Sequence, residues 1–292
     1  YDGGGVSASG LSDSATRVGG DPGPRAGEGV WARAYGARDE GGNVFNEEKI
    51  GLIAGADAAV SEAVRLGLAV NYAHNTARFI DAAKTNVESY QAMGYGSWEG
   101  GPWYASGLAS VGLNSFDTTR NLASFGLAGT ATSHPRGESW SGYGEAGYHV
   151  MGVPWAHLTP YAGLGYVGTH LDGFSESGGL GALQVNAATG SSLESQLGVR
   201  VSTRIGGLVP ELRAAWGHEF LDAAPTITGT LETVPGSGFS AAGANFGRDS
   251  ALIGAGVTHE VSETVRIFVD YDGRLTVGFS EHVVSAGVRV RF

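Results

Sequence analysis

From Gly29 to the last residue, apolar positions alternate with small or polar ones in segments of about 10 to 14 residues, the period-two pattern of half-buried strands. Twelve segments can be read: 29–38, 48–60, 63–75, 86–99, 102–114, 138–151, 154–168, 192–204, 207–220, 249–259, 263–273 and 281–292. In 193–204, Leu193, Leu197, Val199 and Val201 share one face, and Glu194, Gln196, Arg200, Ser202 and Arg204 the other. Segment 207–220 sets Leu212, Ala214, Trp216 and Phe220 against Glu211, Arg213 and Glu219. Segment 263–273 opposes Val265, Ile267, Val269 and Tyr271 to Arg266, Asp270 and Asp272. The chain closes on Val284, Ala286, Val288, Val290 and Phe292, interleaved with Ser285, Gly287, Arg289 and Arg291.

The connections alternate as well. Tight turns are expected at 60–64, 99–103, 152–156, 205–209 and 261–265. Long loops fall between them, the largest near 115–137, 169–191 and 221–248. Such asymmetry suits an outer-membrane barrel with short periplasmic turns and longer external loops, and an even strand count leaves both barrel ends on the periplasmic side. A soluble β-sandwich fits the alternation but not the asymmetry.

Composition sharpens the choice of solvent. Charged residues make up 16% and aromatics 10%, with 50 glycines, which is neither disordered nor typical of a water-facing surface. The apolar face is aliphatic, with Trp103, Tyr148, Trp155, Tyr166 and Tyr271 near segment ends, the arrangement of lipid-facing girdles. The polar face mixes signs on neighbouring segments and suits a wet lumen. Its expected lining is Arg33, Arg65, Glu145, Glu194, Arg200, Arg204, Glu211, Arg213, Arg266, Asp270, Arg289 and Arg291. The formal charge of −11 disfavours nucleic acid, and the absence of cysteine removes disulfides and thiolate chemistry. No apolar run reaches the length of a transmembrane helix, and no signal peptide opens the chain. Residues 1–28, rich in Gly, Ser and Pro, read as a tether, with "LSDSATRV" able to form a turn or two of helix.

The segments "PELRAAWGHEF" (210–220), "RDSALIGAGV" (248–257), "VDYDGRL" (269–275) and "EHVVSAGVRVRF" (281–292) resemble the translocator domain of bacterial autotransporters, the type V secretion family. "VWARAYG" (30–36) resembles that family's first strand and "TPYAGLGY" (159–166) its middle. The resemblance implies an all-β fold: a twelve-stranded antiparallel transmembrane barrel over 29–292, with residues 1–28 as a linker threading the lumen from an exported N-terminal passenger. Gly19, Gly20, Pro22, Gly23 and Pro24 argue against a long linker helix. It further implies that the final strand, ending at Phe292, is similar to the signal read by the barrel-assembly machinery, with periplasmic chaperones as partners and a monomeric barrel in outer-membrane lipid. The passenger would be carried in cis. Passive diffusion and surface adhesion through the long loops are the competing functions.

Chemical motifs are weak. "GYGEAG" (142–147) fits a dinucleotide fingerprint but continues as a strand, so its glycines are expected to allow close packing in a barrel. His149 and His157 have no carboxylate at ligand spacing, and no metal or cofactor is expected. His170, Asp172, His218, Asp270 and Asp272 near the loop end could activate water, but match no defensible motif. The self-cleavage of some relatives uses an Asn-Asn junction that is missing from this sequence, so no enzyme is expected.

Overall fold

The computed structural model describes residues 28–292 apart from 43, 81–82, 151–154, 222–225, 235 and 244–245. The expected tether, with its short helix and its path through the lumen, lies outside the described residues.

Twelve long strands build the fold: β1 (Gly29–Gly41), β2 (Phe45–Ala59), β3 (Val64–Phe79), β4 (Ala83–Gly100), β5 (Trp103–Asn121), β6 (Arg136–Tyr148), β7 (His157–Leu171), β8 (Ala188–Ser202), β9 (Leu208–Glu219), β10 (Asp249–Glu260), β11 (Val265–Thr276) and β12 (Phe279–Arg291). Each pairs antiparallel with its sequence neighbours, and β12 pairs with β1, from Gly29 opposite Arg291 to Glu40 opposite Ser280. The sheet is therefore a closed barrel. Register fixes its shape. A line perpendicular to the strands from Tyr35 runs through Gly51, Ala73, Ser89, Asn114 and Gly137 to Leu171. The other way round it runs through Ser285, Asp270, Gly256, Glu211 and Ser202 to His157. Both ends lie on β7, at 171 and 157, so the stagger is fourteen residues. With a strand spacing of about 4.8 Å and a rise of about 3.4 Å, that stagger gives a tilt of about 40° and a backbone diameter of about 24 Å.

The apolar positions of the pattern point outward. Leu66, Leu68 and Val70 on β3, Val111 and Leu113 on β5, and Val284 and Val288 on β12 are all exposed, Leu68 at 73%. Trp98, Trp103, Trp155 and Phe292 are exposed near the tight-turn end, and Tyr72, Tyr90, Trp140 and Trp216 nearer the loops. Strands at the loop end run further than the pattern suggests. β5 continues to Asn121, and the connections at 42–44, 80–82 and 277–278 are as short as those at the opposite end. A strand of 18 or 19 residues, as in β4 and β5, rises about 45–50 Å along the axis, well beyond an apolar band of about 25 Å. The outward faces of the strands at this end are accordingly polar, with Arg78 of β3 paired to Glu48 of β2 at 3.2 Å and Arg38 to Glu40 on β1 at 2.9 Å.

The three long loops carry structure of their own. Thr130–Ser133 adds to the end of β5 after a short 3₁₀ turn at Leu122–Phe125. A separate four-stranded sheet joins Phe174–Ser175, Leu183–Val185, Thr226–Leu231 and Phe239–Ala242. Leu122, Ala131, Ala182 and Val185 are buried beneath it, and Arg120 forks onto the buried Glu176.

Glycine shapes the barrel wall. Tyr35, Trp31, Tyr95, Tyr104, Tyr161 and Phe268 point inward, and each has a glycine as its direct cross-strand partner: Gly51, Gly55, Gly67, Gly147, Gly198 and Gly287. A Cβ on any of these glycines would collide with the ring. Each ring therefore lies flat on the neighbouring strand instead of standing into the lumen. The close packing expected of "GYGEAG" is found only at Gly147: Gly142 and Gly144 meet nothing nearer than 3.9 Å, because they sit on the outer face. Gly67→Ala is expected to destabilise the barrel by about 1–3 kcal/mol through overpacking. Gly94→Ala on the outer face, where a Cβ would meet Leu68 at an ordinary 3.7 Å, should change stability by less than about 0.5 kcal/mol. Urea unfolding in detergent micelles measures both, and equal effects would refute the packing account.

Candidate functional site in the barrel lumen

Inside a cylinder, long side chains converge, so residues two strands apart can meet if the strand between them is bare. Arg213 on β9, Gly254 on β10 and Asp272 on β11 lie in one register line. The Arg213 guanidinium passes over Gly254 to donate to Asp272, and lies 3.6 Å from Asp270 and 3.2 Å from Glu211. Arg33, 2% exposed, approaches the same Asp272 to 4.0 Å from β1. Arg200 on β8 crosses the Tyr161 ring, 4.0 Å from its centroid, and forks onto Glu145 of β6 with two bonds of 2.8 Å. Tyr104 and Tyr143 each donate to the same carboxylate at 2.9 Å. Arg274 on β11 reaches Glu194 on β8 over Gly217 and Ser250.

Asp57, whose side chain is fully buried near the end of β2, gathers two arginines. Arg289 of β12 forks onto it across Gly29, with one arm at 2.9 Å. Arg65 donates at 2.6 Å, and Tyr95 at 2.9 Å while accepting from Trp31 Nε1 at 2.6 Å. Arg289 and Asp57 flank β1, so this pair spans the seam between the first and last strands. Closer to the rim, Arg266 pairs with Glu260 at 2.8 Å. Arg291 is half-buried on the inner face, with its backbone N–H 2.8 Å from the Thr264 carbonyl.

Eleven of the twelve lining positions read from sequence thus lie on the inner face of strands. Arg204 does not: it lies beyond the end of β8, its side chain is 58% exposed, and it pairs with Glu260 at the tight-turn rim. Sequence reasoning missed Asp57, Lys49, Asp272 and Arg274, which supply the other half of several pairs. Parity was the available signal for Asp272 and Arg274, which fall in phase with Asp270 on β11; on β2 no residue had been assigned inward, so Asp57 and Lys49 had no such reference. Aromatic inner-face residues were also missed; Trp31, Arg33 and Tyr35 alternate in "VWARAYG" and share one face. Midway along β3 to β5 the wall is neutral: Tyr35 of β1, Asn71 and Gln91 are bonded in sequence at 3.2 and 3.1 Å, and Ser89 to Asn114 at 2.7 Å. His149 stacks on Tyr104 and bonds Thr159 at 3.1 Å, while His157 is exposed.

The terminal strand presents Val284, Ala286, Val288 and Phe292 outward and exposed, with Val290 half-buried. Its backbone is paired on both sides, and the Phe292 N–H donates to the Glu28 carbonyl at 3.0 Å.

Removing one partner of a buried ion pair leaves an unpaired charge and costs about 3–5 kcal/mol, whereas replacing both can be neutral. Asp57→Ala is therefore expected to lower the temperature at which the barrel loses its SDS-resistant compact form, and Asp57→Leu with Arg289→Met to recover most of the loss. Electrophoresis of samples heated in steps measures this. If the double variant is no better than the single one, the seam pair is not what holds the barrel there.

The autotransporter β-domain model matches residues 30–272. The chain is 23% identical over 283 residues to an extracellular serine protease of Serratia marcescens, covering 90% of this chain but 26% of that protein, so it spans about a quarter of the relative's length. Among solved structures, the translocator domain of autotransporter NalP from Neisseria meningitidis superposes with a TM-score of 0.79 at 18% identity, covering 98% of this chain and 100% of that one. The transport unit of autotransporter AIDA-I from Escherichia coli gives 0.71 at 15% identity, with 98% of both chains covered. Sealed at the β1–β12 seam, apolar outside and lined by tied charges within, this chain belongs to the autotransporter β-domain family, as an outer-membrane translocator barrel of a Gram-negative envelope.

Proposed function

We propose that the barrel carries an N-terminal passenger of its own polypeptide to the cell surface, with residues 1–28 as the linker that remains in the lumen. One observation carries this reading. The start of β1 and the end of β12 lie side by side at the tight-turn, periplasmic end, where Phe292 bonds Glu28. Any segment N-terminal to Glu28 that reaches the outside must cross the bore.

Bore size then limits what can cross. From a backbone diameter of about 24 Å, the inward side chains leave about 10–15 Å, room for a helix of about 10–12 Å or an extended hairpin but not a folded domain. The passenger therefore crosses unfolded, and its folding outside biases the direction. The inner-face charges, Arg33, Arg65, Glu145, Glu194, Arg200, Glu211, Arg213, Arg266, Asp270, Arg289 and Arg291, keep the wall wet, and tying them to one another weakens their hold on a passing chain. Arg204 guards the periplasmic rim.

Assembly precedes export. Before the barrel closes, β12 offers an unpaired edge for strand addition, and Val284, Ala286, Val288, Val290 and Phe292 form the apolar comb read by the barrel-assembly machinery. Periplasmic chaperones hold the chain until then, and the barrel works as a monomer. We assign no catalytic step to it. Asp270 and Asp272 face Arg213, and the pairs His170–Asp172 and His218–Asp249 sit at the loop end with half-buried imidazoles and exposed carboxylates.

A single chain carrying a signal peptide, an unfolded epitope-tagged reporter and residues 1–292 tests the proposal. In intact cells the tag is expected to be cut by external protease, and deletion of Phe292 to lower the assembled barrel severalfold. A barrel that assembles while its tag stays periplasmic would leave passive diffusion as the better reading.

A further inference from the structure

Four phenylalanines meet at the loop end of the lumen. Phe45 on β2, Phe79 on β3 and Phe279 on β12 point inward from the wall, and Phe246 reaches them from the connection between β9 and β10. The centroids of Phe45 and Phe79 lie 6.0 Å apart and those of Phe45 and Phe279 6.5 Å apart. Phe246 lies 6.2 Å from Phe45 and 5.3 Å from Phe279.

The position of Phe246 is the informative part. It stands three residues before β10, and β10 is four strands around the barrel from β2. On a cylinder about 24 Å wide, one third of the circumference corresponds to a chord of about 21 Å. Phe246 is therefore turned inward from the start of β10, toward Phe279 of β12 and the Phe45 ring that leans over β1. The β1–β2 and β11–β12 turn tips abut one another beside it, with Gly42 against the Gly278 carbonyl and Gly278 facing Phe246. Its tether to β10 is short. Arg248 is held, its Nη1 donating to the Phe220 carbonyl at 3.1 Å and its own carbonyl accepting from Glu219 N–H at 2.8 Å. Gly247, between the held arginine and Phe246, has a φ of 85°, a conformation that glycine adopts without strain.

The four rings pack on one another, with Phe45 also lying over Gly41 and Phe246 against Gly278. A constriction lined by them sheds water and blocks solutes while together, and opens when one ring leaves. We propose that Phe45, Phe79, Phe246 and Phe279 form a releasable seal at the external exit of the lumen, with Phe246 as its moving part, displaced by apolar side chains of an extended polypeptide in transit. The seal concerns the resting barrel; its displacement by a polypeptide rests on the export reading above.

The chain has no cysteine, so one can be placed without background. Asn75→Cys puts a thiol on the inner face of β3, four residues below Phe79, at a site with no solvent exposure. A membrane-impermeant maleimide added to intact cells is expected to label it slowly with Phe246 present, and about tenfold faster in Phe246→Ser. Phe246→Leu, which keeps an apolar plug, should stay within about twofold of the parent. Equal rates for parent and serine variant, in barrels still SDS-resistant when unheated, would overturn the seal; Phe45→Ser and Phe279→Ser repeat the test if the first variant does not fold. Displacement has its own readout. Phe246→Cys should be labelled several times faster when a reporter with a folded block stalls in the lumen than in the empty barrel, and equal rates would overturn that step. The labelling of Asn75→Cys needs no export, so a seal that holds while the reporter stays periplasmic would separate the failure of the export reading from that of the seal.

Discussion

A sheet that crosses hydrocarbon has no water to satisfy its edges, and each unpaired N–H or C=O would cost several kcal/mol. The pairing of β1 with β12 is therefore the contact on which everything else depends: without it, twelve strands are an open ribbon with two edges that the membrane cannot hold. Closure dictates the alternation, because a closed wall separates two solvents and each strand must show a different face to each. It also places the start of β1 and the end of β12 together on one rim.

Curvature supplies the second rule. On the concave side, side chains crowd as they rise from the wall, and this barrel relieves the crowding with glycine. Beside Tyr35, Tyr95 and Tyr161, glycine lets a ring lie down; between Arg213 and Asp272 it lets a guanidinium pass over. The high glycine content at first suggests loops, yet half of the 50 glycines lie in the barrel strands. Bulk is laid along the wall and charge is tied laterally.

Much of this was legible in the sequence. Period-two alternation located every barrel strand, and the parity of Arg33, Glu145, Arg213 and Arg289 put them in the lumen. What stayed illegible was pairing over distance. That Asp57 should meet Arg289 depends on closure between strands more than two hundred residues apart, which no local pattern encodes. The ends of strands were misjudged where β4 and β5 leave the membrane, because their outward faces turn polar there and the alternation fades although the hydrogen-bond ladder continues. Arg204 was misplaced for the opposite reason: its parity is right, but its strand has already ended. The small sheet of the loops joins residues 183–185 to 229–231 across an intervening hairpin of the barrel, and Phe246 lies in a stretch with no periodicity at all.

The fourteen-residue stagger also determines calibre. A barrel whose strands alternate faces can shift register only by an even number, since an odd slip would turn one strand inside out. The nearest alternatives, twelve and sixteen, would narrow or widen the cylinder by about 1.4 Å. The width of the bore is thus a discrete quantity, selected when β12 docks on β1. A slip there would part Arg289 of β12 from Asp57 of β2. The same side chains that hold the seam together act as a gauge, admitting one diameter of pore and rejecting its neighbours.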